Sequence, residues 1–94
     1  TVGAISELRV ATDLLRRGMA VFRALSPSCP CDLAVLHDGK LLRVEVTTGY
    51  RTLSGKIAYP NKQSHKFDIL AVALYDGTIV YTPEPPSTGL GDVC

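Results

Sequence analysis

The sequence predicts an α+β domain in which one N-terminal helix precedes a set of strands. Three observations carry that class. Residues 4–17 repeat apolar positions at helical spacing, and two Asp-Gly turns, Asp38-Gly39 and Asp76-Gly77, each join a pair of apolar runs. An Asp-Gly step between alternating apolar runs is the strongest short-range signal for a β-hairpin.

Taken in order, the helix comes first. Ile5, Leu8, Ala11, Leu14 and Leu15 recur at three- and four-residue steps, which predicts one buried face. Gly18 after Arg16-Arg17 is a stop signal, with cations at the negative end of the helix dipole. Residues 19–25 read as a strand and 26–30 as a turn-rich loop. Residues 32–36 fold against 41–47 about Asp38-Gly39, and runs apolar on both faces in places suit interior strands. From 48 to 66 the chain turns polar, and Gly49, Gly55 and Pro60 are expected to break regular structure. Residues 61–66 suit a short second helix capped by Asn61. A second hairpin, 68–75 with 78–82, crosses Asp76-Gly77. Residues 1–83 read as one domain and 84–94 as a loose Pro- and Gly-bearing tail. The chain opens at Thr1 without methionine, and the native protein is expected to extend further.

Composition bounds the function. Ninety-four residues with 46% hydrophobic and 20% charged content suit a single small core and exclude a mainly disordered chain. A net charge of +1 gives no general attraction for nucleic acid, so any such binding needs clustered charge or a bound cation. Three cysteines make no closed disulfide framework. Cys29-Pro30-Cys31 has the wrong spacing for a zinc knuckle, and no second Cys or His pair follows. No signal peptide appears and no apolar run approaches the roughly 18 residues of a membrane span. The expectation is a reduced cytoplasmic protein without a membrane partner.

The chemistry is concentrated in the first hairpin. Asp32 opens one strand and Glu45 lies within the other, and folding about the turn brings both towards the same end. Two carboxylates in a partly apolar setting repel, and a divalent cation held by oxygen ligands is the usual compensation. Each also has a bland role. Asp32 suits a turn cap, and Glu45, between Val44 and Val46, suits an ion pair with Arg43 or Lys66. Arg51, Lys56, Lys62, His65 and Lys66, with Tyr50 and Tyr59, form the basic, aromatic-interleaved segment of the chain, which suits phosphate contacts. Asp68 reads as structural.

The whole arrangement resembles the PD-(D/E)XK nuclease superfamily, the restriction-endonuclease-like fold with its Holliday junction resolvase members. The likeness runs over residues 3–83. Gly3 to Glu7 and Val10 to Gly18 look like the first helix, and Val21 to Leu25 like the first strand. Asp32-Leu33-Ala34-Val35 resembles the strand opened by the metal-binding aspartate. Arg43-Val44-Glu45-Val46 resembles the acidic half of the E-x-K element, and residues 67–72 and 79–83 the closing strands. The resemblance implies a central mixed sheet and a DNA substrate, with Mg2+ or Mn2+ held by Asp32, Glu45 and the Val46 carbonyl. It implies Glu7 as a third acidic group and a homodimer as the working unit. Two positions depart from the pattern. Cys31 stands where proline is common, and Thr47 stands where the family carries lysine. A hydroxyl can bond water or phosphate but supplies no charge, so a displaced cation, Lys56 or Lys66, would have to act instead.

The leading expectation is therefore a metal-dependent DNA endonuclease, structure- or junction-selective and slowed by Thr47. The alternative is an inert nucleic-acid-binding or dimerisation module on the same fold. A third is an unrelated α/β domain whose two carboxylates are structural.

Overall fold

A computed structural model describes residues 2–26, 32–61 and 66–85. Helix α1 (Val2–Arg16) is followed by strands β1 (Ala20–Arg23), β2 (Leu33–His37), β3 (Lys40–Arg51), β4 (Ile57–Ala58), β5 (Ile69–Leu74) and β6 (Ile79–Thr82). The sheet runs β1-β2-β3-β5-β6, antiparallel throughout except for the parallel β3–β5 pair, with β4 added beside the far end of β3. The class is α+β with a mixed sheet, as the sequence predicts.

Local signals explain the boundaries. Gly18, at φ 84°, ends α1 in a left-handed cap. The Met19 N–H bonds the Leu14 carbonyl at 3.2 Å and the Gly18 N–H that of Leu15 at 3.0 Å, which is a Schellman motif. Asp38 and Gly39 both take positive φ, at 51° and 77°, giving the two-residue hairpin turn that matches strand twist.

The helix lies with a different face down from the one its apolar spacing predicts. Ser6, Val10 and Leu14 are buried against the sheet, while Ile5 and Leu8 are each 57% exposed and Leu15 is 50% exposed. Polar anchors set this rotation. Ser6 shares a 2.7 Å hydrogen bond with Thr48 on β3, and Asp13 accepts from the Tyr81 hydroxyl on β6. Arg17 stays with Asp13 at 3.1 Å and lies over the Tyr81 ring at 4.7 Å. Apolar periodicity cannot register such contacts.

Side chains alternate across the sheet, so each strand serves two layers. The larger core, under α1, gathers Val10, Leu14, Leu33, Val35, Val44, Ile69, Ala71 and Tyr81. On the opposite face Leu70, Val72 and Leu74 are covered by Ile57, Phe67 and Val80. Strand β5 is buried along all six residues, as its unbroken apolar run requires.

Strand β3 continues past residue 47 to Arg51, where the polar composition suggests a break. Gly49 lies inside it. A Cβ there would stand 2.6 Å from Val72 Cγ1 and 2.8 Å from the Ala58 carbonyl oxygen. Glycine at this position marks a close approach of β4, not a turn. The second helix at 61–66 falls mostly outside the described residues.

Candidate functional site at the open edge of β3

Hairpin register builds the site. Leu33 and Val44 are the last pair of the ladder, so Asp32, just before β2, and Glu45, the next residue of β3, leave it at the same end. Val46 packs into the α1-side core, so Glu45 points to the other face, beside Leu70 in the parallel register.

Among the described residues the edge of β3 is open at this point. Strand β2 begins at Leu33, opposite Val44, and β4 joins only at Tyr50. Between them the main chain of Val46 faces the gap, and the Asp32 Oδ2 fills part of it by accepting the Val46 N–H at 2.8 Å. Asp32 is itself held from the other side, its carbonyl accepting the Ala24 N–H at 3.4 Å. In a strand the N–H and C=O of one residue face the same neighbour, so the Val46 carbonyl points into the same gap. Two carboxylates and a carbonyl at one edge suit a hard divalent cation that keeps several waters. Among the described residues no set of three His, Cys, Asp or Glu comes together as a fuller cage.

Other predicted residues are distributed differently. Glu7 is on α1, across the sheet from Glu45, and pairs with Arg23 at 3.7 Å. Thr47 is 7% exposed on the Glu45 face, level with Val72. Lys56 precedes Ile57, the partner of Arg51, and so lies about six residues, or about 20 Å, along the sheet from Glu45. Arg51 is bound to Asp76 at 2.8 Å. Lys66 is exposed before β5. Lys62 and His65 lie outside the described residues.

Arg43 was not among the predicted site residues, although strand alternation places it on the Glu45 face, two residues away. Its backbone N–H, Nε and Nη2 bond the Asp68 carboxylate at 2.8, 3.1 and 3.4 Å, and the Asp68 N–H returns a bond to the Arg43 carbonyl. Those Arg43 hydrogen bonds hold the Asp68 carboxyl below the usual carboxylate range. Asp68 is thus a staple between β3 and β5. Asp76 is lowered to about 2, first by the Thr78 N–H and then by Arg51. Tyr81 is pushed far up, first by burial and then by its bond to Asp13.

No family model matches the chain, and no curated protein matches it. Among solved structures it is similar to the bacterial homing endonuclease I-Ssp6803I, with a TM-score of 0.68 and 18% identity over 84% of this chain and 64% of that one. The chain therefore spans less than two thirds of that protein. At this identity the likeness establishes a shared fold.

Proposed function

We propose that this domain is the core of a metal-dependent DNA endonuclease of the PD-(D/E)XK type. The observation that supports it is the Asp32 carboxylate bound to the Val46 N–H, one residue from Glu45, in a fold shared with a homing endonuclease. Asp32, anchored through one oxygen on the Val46 N–H, has its orientation fixed relative to Glu45. The Val46 carbonyl adds a neutral oxygen on the same side. Bound magnesium or manganese would supply Lewis acidity towards phosphate and a water of lowered pKa. Arg43, on the same face, is held by Asp68, so the ion pair adds no net charge beside the reacting phosphate. DNA of unusual structure, such as a junction, is the proposed substrate, and a homodimer the proposed working unit.

Thr47 favours a second reading, an inert nucleic-acid-binding module, because a buried threonine holds no charge where the family carries lysine. Titrating Mg2+ or Mn2+ by calorimetry, with branched DNA resolved on a gel, separates the two. The nuclease reading expects metal-dependent cutting that falls at least about a hundredfold in Glu45→Ala. Binding without cutting moves the conclusion to the inert module. Neither metal binding nor DNA binding would leave both carboxylates structural.

A further inference from the structure

A groove of about 350 Å³ lies on the Glu45 face, with Tyr59, Asn61, Phe67, Leu70 and Thr82 in its walls. The sheet ties it to the carboxylates. Glu45 is level with Leu70 on β5, and Leu70 with Thr82 on β6. Neighbouring strands lie about 4.8 Å apart, so the groove floor begins about 5 Å from Glu45 and reaches about 10 Å.

The groove has the composition of a base site. Phe67 packs with Leu70 and Val72 to form an apolar floor. Tyr59 lines the same groove with 43% of its surface exposed. Its position depends on Gly49, whose missing Cβ would lie 3.4 Å from Tyr59 Cβ as well as against the Ala58 carbonyl. The amide of Asn61 and the hydroxyl of Thr82 can each donate and accept at a base edge. Asp68, also on the wall, is neutralised by Arg43 at 3.1 Å, so the groove does not repel a nucleic acid strand with a bare carboxylate.

We propose that this groove is a nucleobase subsite: it takes an unpaired base next to the phosphate at Asp32 and Glu45 and stacks it on Tyr59. The inference rests on the nuclease reading above and narrows its substrate to DNA with at least one unstacked nucleotide. A base held in a duplex cannot enter, because its faces are covered by its neighbours.

The test uses fluorescence anisotropy of the full chain with Ca2+ present as the oxygen-bound cation, against a labelled duplex carrying one unpaired nucleotide and the same duplex fully paired. Tyr59→Ala is expected to weaken binding of the first about 5- to 100-fold, the range for loss of one base–aromatic stack, and to leave the second unchanged. Tyr59→Phe, which keeps the ring, is expected to restore binding. An equal loss on both DNAs, or no loss on either, overturns the subsite. In either case metal-dependent cutting that still needs Glu45 leaves the nuclease reading intact. If the wild-type chain binds neither DNA, the nuclease reading falls and the subsite with it.

Discussion

Asp76 shows how far a single residue's chemistry can be followed in this protein. Its carboxylate accepts the Thr78 N–H at 2.9 Å and Arg51 Nε at 2.8 Å, and its pKa falls to about 2. A depressed carboxylate contributes stability that is complete above its unfolded value, about 3.9, and disappears as pH falls through the folded value. Urea melts of Asp76→Asn should therefore show a shallower loss of stability between about pH 4 and pH 2 than the parent. An unchanged slope would remove Asp76 from the acid response. Tyr81 offers a second test. Tyr81→Phe keeps the ring under Arg17 and deletes the bond to Asp13, which should cost about 1–2 kcal/mol in chemical denaturation. None of these pairs was legible in the sequence, since Arg51 and Asp76 stand 25 residues apart and meet only through the β3–β5 pairing.

Among the elements, the hairpin was the most legible. A two-residue turn at Asp38-Gly39 fixes every pairing out to Leu33–Val44, so Asp32 and Glu45 leave the hairpin at the same end. The helix was legible in extent but not in orientation. Leu8 and Leu14 look equivalent by spacing, yet one faces solvent and the other is fully buried. Leu14→Ala should cost about 2–5 kcal/mol by leaving a cavity, whereas Leu8→Gln, measured at a dilution where the chain is monomeric, should change stability by less than about 0.5 kcal/mol. Equal effects would mean that the helix is turned otherwise. Gly49 was misread as a breaker because sequence cannot reveal that another strand's carbonyl sits 2.8 Å from its missing side chain. Gly49→Ala should destabilise by about 1–3 kcal/mol, as the Ala58 backbone has to move. The groove was hidden for the same reason, since β4, which places Tyr59, pairs over only two residues.

At the scale of the whole molecule, the sheet has one face under a helix, and among the described residues the other is only partly covered, by β4 and Phe67. The proposed chemistry lies entirely on the lightly covered face, where a polymer has access. The 15-residue helix on the other side closes the larger core with Val10 and Leu14, against side chains supplied mainly by the strands. No described helix is long and apolar enough to cross a membrane. The outer stripe of α1, with Ile5, Leu8 and Leu15 exposed, is compatible with the proposed homodimer. Sedimentation velocity should then give a mass that drops by half in Leu8→Asp. A mass equal to one chain for the parent would remove the dimer from the proposal.

The gap in the edge of β3 also bears on solubility. Unpaired strand edges recruit strands from other molecules, and proteins protect them with charge. At Val46 that protection is the Asp32 carboxylate, which occupies the N–H an incoming strand would use. Asp32→Ala would thus do two things at once, removing a proposed metal ligand and opening a template for aggregation. Loss of cutting in that variant would be ambiguous. Asp32→Asn keeps an oxygen for the Val46 N–H while discarding the charge, and so should abolish cutting in a chain that stays monodisperse.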